Sequence, residues 1–167
     1  MKKILFVCTG NTCRSSMAEG LFRAALEKDA ELAGQFVAAS AGIAAYDGDP
    51  ASQNSIISLK EGWGIDIGSH RARSLNYEDI AEAYLILTMT RSHKEAILSR
   101  FPEAGPKIFT LKEFVMDSPS ESQRSEGTHA LDISDPYGMP LQVYKSCAEE
   151  IKKAVDKLIL KLKKHVT

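Results

Sequence analysis

Cysteine and tryptophan are scarce in this chain, which holds only three cysteines, Cys8, Cys13 and Cys147, and a single tryptophan. An odd number of cysteines with no CxxC pair argues against both a secreted disulfide framework and a zinc site. Excess charge of one sign is also missing. Twenty-one Lys and Arg face twenty-two Asp and Glu, a formal charge of -1, without the basic surplus that a nucleic-acid or anionic-membrane binder carries. Neither partner is expected. No apolar run near the start approaches the roughly 18 residues of a membrane span, because Ile4 to Val7 is closed by Cys8. Met1-Lys2-Lys3 imitates the n-region of a signal peptide, but the apolar stretch behind it is too short for an h-region and no cleavage site follows. A cytoplasmic protein is expected, and chemistry or packing is left to explain the thiols.

What is present is an ordinary globular composition: 167 residues, 44% apolar and 26% charged. A chain of this length buries roughly 70% of the surface its unfolded form exposes, enough for a core without staples. One domain over residues 1–167 is expected. Lys3 to Val7 reads as a strand buried on both faces. Met17, Ala18, Leu21, Phe22, Ala25 and Leu26 then recur at helical spacing, and Ser16-Met17-Ala18-Glu19 fits a capping box. The alternation continues with a strand over Phe36–Ala41 and a helix over Ala51–Glu61 opened by Asp49-Pro50. A strand over Ala83–Met89, a helix over Arg91–Phe101 and a short strand over Lys107–Leu111 follow. Val143, Tyr144, Cys147, Ile151, Ala154, Val155, Leu158 and Leu162 form the stripe of a last helix. The Lys-rich stretch Lys152 to Lys164 reads as the solvated face of that helix. Strands alternating with helices at these spacings require crossovers, which makes the fold a doubly wound α/β domain with a four-stranded parallel sheet covered on both faces. The polar stretch Asp117 to Asp135 is expected to be a mobile surface loop.

Ligands of such sheets bind beyond the carboxyl ends of the strands, which directs attention to Cys8-Thr9-Gly10-Asn11-Thr12-Cys13-Arg14-Ser15. A thiol ends a buried strand, an arginine follows six positions later, and a helix starts behind it. Backbone N–H groups of Thr9 to Cys13 can converge on a tetrahedral anion, the helix N-terminus adds positive charge, and the guanidinium can grip two oxygens. The same field favours a thiolate at Cys8. The bland alternative is that Cys8 is a small buried hydrophobe and Arg14 a surface residue.

At these residues the sequence resembles the low-molecular-weight protein-tyrosine-phosphatase family. Its loop pattern V-C-x-G-N-x-C-R-S, followed by x-M-A-E, is matched by Val7 to Ser15 and by Ser16 to Glu19. Ser40-Ala41-Gly42 resembles the family's S-A-G, His70 its buried histidine, and Asp135-Pro136-Tyr137-Gly138 its acid loop. The resemblance implies a cysteinyl-phosphate intermediate, with Cys8 as nucleophile, Arg14 as phosphate clamp and Ser15 hydrogen-bonding the sulfur. It also implies Asp135 as general acid and then base, which composition alone does not distinguish from Asp117, Glu121, Glu126 or Asp132. Asn11, Ser40 and His70 are implied as loop supports, and Cys13 as a thiol that pairs reversibly with Cys8. Cys147, on the helical stripe, reads as core. No metal or cofactor is implied.

The substrate turns on Thr12, because tyrosine phosphatases of the family commonly place a bulkier aliphatic residue there. C-T-G-N-T-C-R-S and Lys107 to Val115 resemble bacterial protein-arginine phosphatases, which implies phosphorylated proteins as partners and phosphoarginine as the hydrolysed group. Phosphotyrosine is the alternative, since Tyr46 and Tyr137 can stack on a guanidinium or a phenyl ring alike. Two further classes are a reductase acting on arsenate and a noncatalytic anion-binding domain. The first needs relay cysteines that are absent between Cys13 and Cys147, and the second is disfavoured by the presence of Cys8, Arg14 and Asp135 together.

Overall fold

The computed structural model describes residues 1–116 and 131–166. Four parallel strands form one sheet in the order β2-β1-β3-β4, with β1 at Lys2–Cys8, β2 at Phe36–Gly42, β3 at Ala83–Thr88 and β4 at Ile108–Thr110. The α/β class and the covered parallel sheet expected from the alternation are therefore observed. β1 is central and pairs with β2 from Lys2↔Phe36 to Cys8↔Gly42, and with β3 through Val7↔Thr88. The chain crosses to one side of β1 and then returns to the other. The crevice of this topological switch opens at the carboxyl end of β1, where Cys8 stands.

Side chains alternate across β1. Ile4, Phe6 and Cys8 enter one core, and Leu5 and Val7 the other. The first core is covered by α1 at Arg14–Glu27, α2 at Gln53–Trp63, the short α5 at Leu111–Val115 and the long α6 at Leu141–Val166. Met17, Leu21, Phe22, Leu59, Leu111, Ile151 and Leu158 fill it. The second is covered by α3 at Tyr77–Glu82, α4 at Arg91–Arg100 and a 3₁₀ turn at Pro102–Lys107. These contribute Ile80, Ile97 and Ala104. Cys147 packs in the first core, as its place on the stripe implied.

Several expectations are corrected. The capping box at Ser16 does not form. α1 starts at Arg14, no side chain caps it, the Ser16 hydroxyl donates to the Cys13 carbonyl at 2.9 Å, and Glu19 pairs with Arg23 at 3.0 Å. The helix begins earlier because its uncapped first turn belongs to the loop that follows β1. Reciprocal capping boxes stand instead at Asn76/Asp79 and Thr110/Glu113, opening α3 and α5, two helices the periodicity did not reveal because each is under two turns long. α2 starts at Gln53, capped by Ser52, because Pro50 is held in a bridge with Arg71 and Ala51 is buried. It ends at Gly64, whose φ of 68° is the left-handed stop. Of the stretch expected to be a mobile surface loop, residues 117–130 lie outside the described residues. Its described end stays irregular, with Ser134 and Asp135 exposed, but it is anchored at Ile133, which is fully buried and whose N–H donates to the Met89 carbonyl at 2.9 Å.

Candidate active site

Cys8 closes β1 with its side chain almost fully buried. The loop behind it turns through Asn11, whose φ of 59° is left-handed, a conformation asparagine tolerates better than most residues. The turn aims the Asn11 N–H at Cys8 Sγ, 3.3 Å away. The Asn11 side chain then organises the loop. Its Nδ2 donates to Ser15 Oγ and to Ser40 Oγ, both at 2.9 Å, and its Oδ1 accepts the Arg73 N–H at 3.0 Å. Ser15 Oγ, held in place by the hydrogen bond it accepts from Asn11, lies 2.8 Å from Cys8 Sγ, within hydrogen-bond reach of the sulfur. His70 Nε2 donates to the Asn11 carbonyl at 2.7 Å. His70 is half-buried rather than buried, a correction to the expectation, although its Nε2 still reaches the loop.

The approach of β2 is equally close. A Cβ on Gly42 would lie 2.5 Å from the Thr9 carbonyl oxygen and 3.0 Å from the Asn11 nitrogen. The glycine of Ser40-Ala41-Gly42 is thus required by backbone proximity. Next to it, Ile43 and Ala44 donate their N–H groups to the Cys8 and Thr9 carbonyls at 3.0 and 2.9 Å, and Ser52 N–H donates to the Thr12 carbonyl at 2.9 Å. The loop's carbonyls are tied outwards. The first turn of α1 carries neither a side-chain cap nor an acid, so its N–H groups and dipole serve whatever anion sits over the sulfur.

Arg14 is buried, not a surface residue. Its Nη1 donates to the Ile133 carbonyl at 2.9 Å and its Nη2 lies 3.6 Å from Asp135 Oδ2. The guanidinium therefore holds the segment that presents the acid. Asp135 is half-exposed, and its Oδ1 accepts the Tyr137 N–H at 3.1 Å, forming a turn that sets the carboxylate over the opening. Thr9, Gly10, Thr12, Cys13, Tyr46 and Tyr137 line the same cavity of about 360 Å³ with Cys8, Arg14 and Asp135. The two tyrosines are 78% and 75% exposed and stand at its mouth. Cys13 is a free thiol beneath the loop, 3.5 Å from Ser52 Oγ and 3.6 Å from the Tyr144 hydroxyl. Burial, aided by Cys13, pushes Tyr144 up to about 12. Burial likewise pushes the Cys147 thiol up to about 12, which leaves it inert.

One residue of the site carried no signal in the sequence. His93, in the first turn of α4, is 4% exposed, and its Nε2 lies 2.9 Å from Thr9 Oγ1. Its Nδ1 has no partner among the described residues. Burial, with the charge of Arg14, pushes its pKa down to about 4 from 6.5. The ring is neutral under the loop. A depressed histidine binds its proton more readily unfolded than folded, so stability is whole above pH 6.5 and falls as pH drops towards 4. Between pH 7 and pH 5 this linkage amounts to about 2 kcal/mol. Urea unfolding of the wild type should show that loss, and His93→Gln should show a pH dependence shallower by about this amount; equal slopes would refute a buried neutral His93.

A thiol at the end of a parallel strand, a phosphate-sized loop, a buried guanidinium and a facing carboxylate define a phosphoryl-transfer class. The chain belongs to the family described as low molecular weight phosphotyrosine protein phosphatase, whose sequence profile matches residues 3–167. It is 44% identical over 160 residues to a protein-arginine-phosphatase of Geobacillus stearothermophilus, covering 96% of this chain and 95% of that one. A solved low molecular weight protein tyrosine phosphatase from T. tengcongensis is 49% identical and superposes with a TM-score of 0.82 over 96% of this chain and 99% of that one. A solved arginine phosphatase mutant, described as carrying a phosphorylated active-site serine, is 36% identical with a TM-score of 0.83 over 97% and 96% of the two chains. Both substrate names occur among similar relatives, so the choice between them rests on this chain's own pocket.

Proposed function

We propose that this protein hydrolyses phosphoarginine in phosphorylated proteins of the cytoplasm through a cysteinyl-phosphate intermediate, residues 1–167 acting as one domain without a metal. The observation that carries the reading is Thr12, a small polar residue lining the cavity that also holds Cys8, Arg14 and Asp135. The Cys8 sulfur, as thiolate, attacks phosphorus while Arg14 forks two phosphoryl oxygens and the uncapped N–H groups of the loop take the rest. The P–N bond breaks, its electron pair goes to nitrogen, and the Asp135 carboxyl supplies the proton, so that arginine leaves as guanidinium. The Asp135 carboxylate then takes a proton from water. The water oxygen bonds to phosphorus, the S–P bond breaks, and inorganic phosphate and the Cys8 thiolate result. Ser15 and the Asn11 N–H support the sulfur in both steps, and the phosphorylated serine of the solved relative favours the covalent route. Cys13 lines the cavity beside Cys8 and is the candidate resolving thiol under oxidation. Cys147, buried in the core with its thiol held up at about 12, does not suit the relay of an arsenate reductase.

Phosphotyrosine is the second reading, favoured by the exposed rings of Tyr46 and Tyr137 at the mouth. The test is kcat/KM for matched phosphoarginine and phosphotyrosine peptides, with metal chelated, reductant present and Cys8→Ser as the blank. A preference for phosphoarginine is expected; a preference for phosphotyrosine discards the substrate reading and keeps the mechanism. Thr12→Ile should shift the ratio towards phosphotyrosine by about tenfold, the scale of one or two methylenes in a pocket. An unchanged ratio would remove Thr12 as the selector.

A further inference from the structure

The charges of the cavity are unevenly layered. Its floor holds Arg14, whose side chain is 5% exposed, beside the Cys8 sulfur. Its rim holds two carboxylates, Asp135 and Asp49, and among the described residues Arg14 is the one Lys or Arg that lines it. Asp135 is accounted for by proton transfer. Asp49 is not: its carboxylate accepts no hydrogen bond and enters no ion pair among the described residues, although Asp47 beside it accepts the Ser74 N–H at 2.7 Å.

The backbone of Asp49 is nevertheless fixed. Its N–H donates to the Tyr46 carbonyl at 3.2 Å, its carbonyl accepts the Ala72 N–H at 2.7 Å, and Gly48 N–H donates to the Ala72 carbonyl at 2.9 Å. Gly48 supplies the required positive φ of 93°. Pro50 bridges to Arg71, and Ser52 then binds the Thr12 carbonyl of the nucleophile loop. A carboxylate on a rigid rim, facing a site for a phosphoryl dianion, repels a substrate that carries only negative charge. The same carboxylate attracts a substrate in which a cation stands directly above the phosphoryl group.

We infer that Asp49 is a specificity-determining residue that pairs, opposite Asp135, with the guanidinium of phosphoarginine. The inference rests on the phosphoarginine reading and deepens it. A phosphorylated arginine is zwitterionic: the dianion descends to the Arg14 floor and the cation stops at the acidic rim. The guanidinium is cationic both in the bound phosphoramidate and in the departing arginine. Asp49 therefore contributes about equally to ground and transition states, and its loss falls on KM. As a rim pair it is open to salt, so its effect shrinks as ionic strength rises.

The experiment compares wild type, Asp49→Asn and Asp49→Lys on matched phosphoarginine and phosphotyrosine peptides at low and high salt. Asp49→Asn should raise KM for phosphoarginine about tenfold, between a screened surface pair and a charge-assisted fork. Its kcat should stay within about threefold, and kcat/KM for phosphotyrosine should rise about two- to threefold as repulsion is removed. Asp49→Lys should extend both trends. A variant that lowers both substrates by one factor, or leaves the ratio unchanged, overturns the role of Asp49 while a wild-type preference for phosphoarginine stands. A wild-type preference for phosphotyrosine overturns the reading beneath it and the inference together.

Discussion

Cys8→Ser should abolish turnover, with kcat on either phosphopeptide falling by at least about 10⁴-fold, since the covalent route loses its nucleophile rather than one of its stabilising contacts. A serine hydroxyl is a far weaker nucleophile than a cysteine sulfur, and any phosphoryl group that does reach the oxygen forms an alkyl phosphate that departs far less readily than from sulfur. The cradle does not depend on the sulfur. Arg14 is held by the Ile133 carbonyl, and the loop by Asn11, Ser40 and His70. The variant should therefore still bind inorganic phosphate, followed by calorimetry, and its urea midpoint should correspond to a change of no more than about 1 kcal/mol. Residual kcat above about one per cent of wild type would show that phosphoryl transfer does not pass through sulfur.

The second large effect is expected at a residue that touches no reacting bond. Asn11→Ala removes three side-chain hydrogen bonds, the buried ones to Ser15 and Ser40 and the part-buried one from the Arg73 N–H, and leaves a β-carbon residue without compensation at a φ of 59°. Stranded donors and acceptors cost about 1–3 kcal/mol each where water cannot replace the partner, and the left-handed backbone adds about 1 kcal/mol. A loss of about 3–4 kcal/mol in urea unfolding is expected. The activity loss should be about 10²- to 10³-fold in kcat, because Ser15 is no longer oriented towards Cys8 Sγ and the loop N–H groups no longer converge. Asn11→Gly separates the two causes. It should recover the backbone part of the stability but little of the activity. If Asn11→Ala keeps kcat within about threefold of wild type, the network is a passenger of the loop rather than its frame.

The readable part of the site is the part that is contiguous. Cys8, Asn11, Arg14 and Ser15 lie within one strand-loop-helix, where spacing and backbone geometry are nearly the same thing, so a motif of eight residues already describes the cradle. Gly42 was legible as part of a pattern, but its reason, a carbonyl oxygen 2.5 Å from where a Cβ would stand, is a contact between two segments. Asp135 was chosen over its acidic neighbours by resemblance. In the structure it is distinguished by Arg14, whose other nitrogen holds the Ile133 carbonyl two residues earlier. The capping box read at Ser16 failed for the same physical reason that the site works: the first turn of α1 faces the anion position instead of a cap. His93 had no local mark at all, and Asp49 was marked only as the opener of a helix. One is a histidine in an ordinary helix turn, the other an aspartate in a turn rich in such residues.

What the sequence determined by itself is the local chemistry and the layering. Apolar runs of strand length, helical stripes between them and the C-x5-R-S loop follow from side-chain type and chain spacing, and these reach no further than a turn or a strand. What only the tertiary structure decided is which distant segments meet that loop: β2 and its turn bringing Asp49, the Arg71 to Arg73 segment bringing backbone partners, α4 bringing His93, and the stretch before α6 bringing Asp135. Those meetings are set by strand order and register around β1, and by hydrogen bonds between residues scores of positions apart. Their closure depends on the whole core packing at once.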